Sequence, residues 1–102
     1  MKSGYKIAWT DHALAELSQT FQYLELNFSE KEIVHLGNKI DAVLSYISQY
    51  PELYPESFKR RDVRRAVVTR LNTLYSRINI DKDLIEILSF FSNRENPEKL
   101  GS

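Results

Sequence analysis

The spacing of the hydrophobic residues changes once along the chain. Of all the features of the sequence, this change restricts the possible fold most. Up to residue 47 the apolar residues recur every three or four positions, as they do on one face of an α-helix. Beyond residue 60 they alternate with polar residues or form short continuous runs, as they do in β-strands. A helical half followed by a strand half predicts an α+β fold.

The first half predicts one short strand and two helices. The run YKIAW at residues 5–9 is typical of a strand, and Thr10 can cap the helix that follows it. Ser29 followed by Glu32 forms a capping box, which predicts that a second helix begins there. The short join NFSE makes the two helices an antiparallel hairpin. The predicted apolar face of the first helix is Leu14, Leu17, Phe21, Leu24 and Phe28, and that of the second is Ile33, Leu36, Ile40, Val43, Leu44 and Ile47.

The second half predicts three strands. Pro51 and Pro55 end the helical region, because proline has no N–H to donate and restricts the residue before it. Strands are predicted at about 61–69, 72–80 and 84–91, the last of them central and buried because LIEILSFF is almost continuously apolar. The predicted architecture is β-α-α-β-β-β, with an antiparallel helix hairpin packed on one face of a mainly antiparallel sheet. Residues 1–102 are predicted to form one domain with a polar tail from about residue 93.

Composition and spacing argue against several kinds of site. The chain has no cysteine, so it holds neither a disulfide nor a thiol nucleophile. His12 and His35 lie far apart, and the glycines Gly4, Gly37 and Gly101 do not form a phosphate-binding loop. We therefore expect no metal and no cofactor. Since no apolar run approaches membrane-spanning length, we also expect a cytoplasmic protein without a membrane partner.

Charge is distributed unevenly along the chain, although 14 Lys and Arg balance 14 Asp and Glu. Residues 1–58 hold four basic and eight acidic residues, whereas residues 59–102 hold ten basic and six acidic ones. The stretch KRRDVRRAVVTR at residues 59–70 contains six of those ten basic residues, although much of it reads as a strand. Such polarity indicates either an anionic partner or a solvated face.

Basic and aromatic residues of the second half are therefore the candidate functional residues. Guanidinium groups stay charged and bind phosphates or carboxylates through two hydrogen bonds. Arg64 and Arg65 point to opposite faces of a regular strand, and Arg77 shares a side with Tyr75 in mid-strand. The alternative is that these arginines only form a solvated face with ion pairs. The candidates are Lys59, Arg60, Arg61, Arg64, Arg65, Arg70, Tyr75, Arg77 and Arg94.

Taken in order, the segments WTDHALAELSQTFQYL, VRRAVVTRLNTLYSRI, DKDLIEIL and NRENPEKL resemble the RelE/ParE superfamily of bacterial type II toxins. The resemblance covers nearly the whole chain. It implies a compact toxin with the architecture given above, neutralised by a cognate antitoxin. It also implies one of two mechanisms, because RelE-like members cut messenger RNA in the ribosome and ParE-like members inhibit DNA gyrase.

Only some of the site residues of RelE-like nucleases have a counterpart in this sequence. Arg64 takes the place of a strand-two lysine of those nucleases, and Arg94 matches their arginine after the last strand. Tyr75 matches a tyrosine common to both branches. Leu71 stands where the nucleases have an arginine, although Arg70 is one position away. Leu100 falls near the place of their C-terminal tyrosine, and the His-Tyr ending of YoeB-like nucleases is absent. An acid and a base for RNA cleavage are therefore not evident.

The first expectation is a toxin that acts by binding, with DNA gyrase as the target that the resemblance implies. Its surface for target or antitoxin is predicted to be Lys59, Arg60, Arg61, Arg65, Tyr75 and Arg77. An alternative is a ribosome-dependent, metal-independent endoribonuclease acting on mRNA, with Arg64, Arg70 and Arg94 as its catalytic residues. A second alternative is a non-toxic RNA- or protein-binding module. In each case we expect an acidic or amphipathic segment of a partner to bind the basic face. Because salt screens charges, we expect this binding to weaken as the salt concentration rises.

Overall fold

The computed structural model describes residues 4–58, 60 and 62–92. The elements are β1 (Lys6–Trp9), α1 (Asp11–Asn27), α2 (Glu30–Gln49), a 3-10 turn (Pro51–Leu53), β2 (Arg64–Thr69), β3 (Asn72–Asn79) and β4 (Leu84–Ser92). The predicted order of elements is confirmed. The main difference in bounds is at β2, which begins at residue 64 and not near residue 61. Within the described part of the chain, no helix is long and apolar enough to span a membrane.

The four strands form one mixed sheet in the order β1-β4-β3-β2. β1 runs parallel to β4, and the other two pairs are antiparallel, so the mainly antiparallel prediction is confirmed. β4 is central, as predicted. Its burial is less even than its apolar sequence suggests, because Ile85, Ile87 and Phe90 are buried whereas Phe91 is 45% exposed.

Both helices cover one face of the sheet, and the hydrophobic core lies between the two layers. α2 presents the apolar face that its periodicity predicts. For α1 the prediction was wrong at Leu14 and Phe28, which are 46% and 49% exposed. The small residues Ala13 and Thr20 are buried instead, and the Thr20 hydroxyl donates to the Glu16 carbonyl. Buried core residues from the two layers are Ala13, Leu36, Ile40, Ile47, Ala66, Val68, Leu74, Ile85, Ile87 and Phe90.

Side-chain caps fix the start of each helix. The Thr10 hydroxyl accepts from the Ala13 N–H at 3.2 Å and donates to the Ile87 carbonyl at 2.9 Å, so it joins α1 to β4. The predicted capping box at Ser29 and Glu32 is present. Hydrogen bonding from the Ser29 side chain, and then from backbone N–H groups, lowers the pKa of the Glu32 carboxyl.

A short irregular segment pairs with the outer edge of β2. The Ser57 N–H donates to the Val63 carbonyl at 2.7 Å, and the Arg65 N–H donates to the Pro55 carbonyl at 2.9 Å. Glu56 and Arg64 form an isolated antiparallel bridge between these two bonds. This pairing carries the chain from the end of α2 along the edge of the sheet, and Phe58 follows directly after it.

Candidate binding face

The sheet face opposite the helices carries most of the described candidate residues. Along β3, Asn72, Leu74 and Ser76 are buried toward the helices, so Tyr75 and Arg77 lie on the other side. Strand pairing places further side chains beside them: Arg65 opposite Tyr75, Val67 opposite Thr73, Thr73 opposite Phe91, and Arg77 opposite Glu86. We call this surface, made by Arg65, Val67, Thr73, Tyr75, Arg77, Glu86 and Phe91, the outer face.

The two adjacent arginines of β2 lie on opposite faces, as the strand pattern predicts. Arg64 pairs with buried Ser76, and its Nη1 donates to the Tyr54 carbonyl at 2.7 Å. A longer contact of 3.4 Å reaches the Glu52 carbonyl. Arg64 therefore fastens the segment after α2 to the edge of the sheet, and Arg65 is the arginine of β2 that faces outward.

Arg77 is neutralised by acidic neighbours on the outer face. Its Nη2 and Nε donate to Oε1 of Glu86 at 2.9 and 3.2 Å. Its Nη1 lies 3.9 Å from Oδ2 of Asp62, and that same oxygen accepts from Arg60 at 3.1 Å. Two arginines thus share two carboxylates. This arrangement agrees with the alternative prediction, in which the arginines form a solvated face with ion pairs.

Arg65 is different, because it has no ionic partner within the described residues. It lines a cleft of about 420 Å³ together with Ser57, Phe58, Tyr75 and Phe91. The carbon of its guanidinium lies 5.8 Å from the centroid of the Phe58 ring, within the range of a cation–π contact. Its Nε is buried and has no hydrogen-bond partner in the part of the chain that the structure describes. The cleft therefore joins one free positive charge to aromatic surface.

Three exposed apolar side chains lie in or near this cleft, among others elsewhere on the described surface. Phe58 is 97% exposed, Val67 56% and Phe91 45%. Tyr75 is half-buried and lies directly beside Arg65 across the strand pair. A guanidinium among exposed aromatic and aliphatic side chains is the composition of protein–protein binding hot spots.

Of the remaining predicted site residues, the two that the structure describes, Arg64 and Arg70, are not brought together. Arg70 is exposed in the turn between β2 and β3, and Arg64 is at the opposite end of β2. Six residues of extended chain separate their backbones by about 20 Å, so one phosphate cannot join their side chains without a large rearrangement. Lys59, Arg61 and Arg94 lie outside the described residues. Within the described ranges, no group of three or more His, Asp or Glu residues is placed to hold a metal ion.

Sequence reasoning missed Phe58, Glu86 and Asp62. A signal for Glu86 was present, because a tight connection at residues 81–83 between the last two strands places residues 77 and 86 opposite each other. No comparable signal existed for Phe58 or Asp62, because both lie in irregular chain whose path depends on the whole fold.

Three solved structures similar to this fold are described as toxins or as toxin–antitoxin systems or complexes. The chromosomal ParDE toxin–antitoxin system from P. aeruginosa matches with a TM-score of 0.71 and 15% identity over 89% of this chain and 98% of the matched chain. The YoeB/ParE toxin from Agrobacterium tumefaciens gives 0.63 and 11% identity over 85% and 96%. The toxin–antitoxin complex RelBE2 from Mycobacterium tuberculosis gives 0.57 and 16% identity over 90% and 94%. No family model and no curated protein matches the sequence.

Proposed function

Because the chain has the RelE/ParE-superfamily toxin fold, we propose that it is the toxin of a bacterial type II toxin–antitoxin pair. The similar ParDE and RelBE2 structures are both described as toxin–antitoxin systems or complexes. On this proposal a cognate antitoxin covers the outer face and keeps the protein inactive in the cytoplasm.

The mechanism we favour is ParE-like, in which the toxin inhibits DNA gyrase by binding. The observation that carries it is the set of partners that the described arginines on and around β2 and β3 already have. Arg77 and Arg60 are already paired with carboxylates, and Arg64 is engaged with main-chain carbonyls. Metal-independent RNA cleavage by arginines would need several of these cations gathered around one phosphate, where they stabilise the charge that develops on it. The described residues offer instead one free guanidinium in an aromatic cleft, which suits a protein surface.

The test is inhibition of gyrase by the purified full-length protein. We expect the protein to abolish DNA supercoiling, to leave ribosome-bound mRNA intact, and to arrest growth in a host that lacks the antitoxin. Arg65→Gln should lose gyrase inhibition by about tenfold or more, as removal of a hot-spot arginine does. Arg70→Gln removes the same charge outside the cleft and is the matched control. Full supercoiling activity in an excess of toxin would contradict the mechanism.

RelE-like mRNA cleavage is the second candidate, favoured by one observation at the far end of the sheet. Arg70 is exposed beside Asn72, which pairs with Ser92, and Arg94 follows Ser92 by two residues in the sequence. Primer extension on translated mRNA would then show cuts in the ribosomal A site that disappear in Arg94→Ala. Unimpaired growth of a host without any antitoxin, with neither activity present, would indicate a non-toxic RNA- or protein-binding module.

A further inference from the structure

The cleft around Arg65 has the chemistry of a carboxylate-binding site. From its geometry we infer that it receives an acidic side chain of a partner protein, with an apolar or aromatic group carried next to that carboxylate. The inference deepens the proposed function and rests on it for the existence of a partner. It names the chemical group that this partner presents.

The first reason is the unsatisfied donor of Arg65. Its Nε is buried and has no hydrogen-bond partner among the described residues, although buried polar groups in folded proteins are almost always paired. Lysine could supply the charge at this position, but only a guanidinium offers the planar pair of donors that binds a carboxylate through two hydrogen bonds. Arg65 lines the cleft and its buried Nε is left unpaired by the described residues, so a carboxylate that binds the guanidinium through two oxygens would satisfy this donor.

The second reason is the contrast between Arg65 and its basic neighbours. Arg77 already forms ion pairs with Glu86 and Asp62, and Arg60 forms an ion pair with Asp62. Among the described residues, the cleft thus offers one positive charge, which a single carboxylate balances. Nucleic acid carries a phosphate at every nucleotide and is bound by rows of cations, so this arrangement suits it poorly.

The third reason is the lining of the cleft. Phe58, Tyr75 and Phe91 line the cleft together with Arg65, and Phe58 is 97% exposed. The Phe58 ring therefore has little packing to hold it, and it can move aside for an entering group. An apolar or aromatic group beside the carboxylate would cover these rings and exclude water from the ion pair, which strengthens it.

Small probes test this inference directly on the full-length protein. The probe is N-acetylphenylalanine, which combines one carboxylate with one ring. N-acetylphenylalaninamide keeps the ring and removes the charge, and adenosine monophosphate combines a ring with a phosphate. Binding is followed through the ¹⁵N resonance of the Arg65 Nε–H group, assigned by its loss in Arg65→Gln, and through the backbone amides of Tyr75 and Phe91.

We expect N-acetylphenylalanine to shift these resonances in a saturable way, and both other probes to bind about tenfold more weakly or less. Arg65→Gln should abolish the shifts at Tyr75 and Phe91, whereas Arg70→Gln should retain them. The backbone amide spectrum of each variant establishes that it is folded.

Four results would overturn the inference. They are equal binding of the amide, equal or tighter binding of the nucleotide, an equal loss of binding in Arg70→Gln, and no shift with any probe at ~10 mM. The outcome does not depend on toxicity. A protein that binds the carboxylate probe but neither inhibits gyrase nor arrests growth would contradict the proposed function and leave this inference intact.

Discussion

Each arginine near the outer face takes its role from the residues that the fold places beside it. Arg64 and Arg65 are neighbours in sequence, yet one holds the Tyr54 carbonyl and the other faces an aromatic cleft. Arg77 lies two residues after Tyr75 in β3, and it is paired with Glu86 on β4. The number of basic residues in a strand therefore says little about how much charge the strand offers to a partner.

The Arg77–Glu86 pair provides a measurement at this scale. Its side chains are 38% and 26% exposed, so water screens the pair in part. A double-mutant cycle with Arg77→Gln and Glu86→Gln should give a coupling free energy of about 0.5–1 kcal/mol in urea denaturation at low salt, smaller in high salt. Arg70→Gln, in the exposed turn, is the control and should change stability by less than about 0.5 kcal/mol. A coupling of zero would mean that Arg77 is free to bind a partner.

At the scale of single elements, α2 contains a glycine that the fold does not require. A Cβ added at Gly37 would meet nothing within 4 Å. Gly37→Ala should therefore raise the free energy of unfolding by about 0.5–1 kcal/mol, because alanine loses less conformational freedom in a helix. Gly4 is the contrasting site, because its φ is +133° and a Cβ added there would lie 2.6 Å from Ser48 Oγ. Gly4→Ala should destabilise the protein, and thermal denaturation of the two variants should show shifts of opposite sign.

The start of α2 gives a prediction for pH. Because its bonds lower the pKa of the Glu32 carboxyl in the folded protein, the ionised form stabilises the fold. That contribution is present above the ordinary pKa of 4.5 and is lost as the pH falls through the lowered value. Urea denaturation should show wild type more stable than Glu32→Ala at pH 7, with the difference shrinking below about pH 4.5. A difference that stays constant down to pH 2 would assign the effect to helix propensity instead.

Elements were predictable from sequence where the signal is local. The caps at Thr10 and Ser29 and the apolar face of α2 depend on residues within a few positions of one another, and they were predicted correctly. The face of α1 was predicted less well, because a pattern of large apolar residues cannot reveal that Ala13 and Thr20 approach the sheet. The cleft was only partly predictable. Arg65 and Tyr75 were named as candidates, but the approach of Phe58 depends on how residues 55–57 pair with β2.

At the scale of the whole molecule, Glu16 joins the helical layer to the sheet. β1 pairs with β4 only as far as Ile87, so the edge of β4 beyond that point has no neighbouring strand within the described residues. The Glu16 carboxylate accepts hydrogen bonds from β4 at this edge, where a neighbouring strand would otherwise supply acceptors. Its Oε1 accepts from the Phe90 N–H at 2.8 Å and from the Ser89 hydroxyl at 2.7 Å. These contacts span more than seventy residues, so no local pattern in the sequence could indicate them.

Removing that carboxylate should loosen α1 from the sheet. Glu16→Ala leaves the Phe90 N–H without its acceptor, which should cost about 1–3 kcal/mol of unfolding free energy and speed hydrogen exchange at that amide. Glu16→Gln keeps an acceptor oxygen and should retain most of the stability. His12→Ala is the control for the other contact of Glu16, since His12 lies 3.3 Å away but is 69% exposed. Equal losses in Glu16→Ala and Glu16→Gln would show that charge matters here. Unchanged exchange at Phe90 would show that this hydrogen bond does not join the two layers.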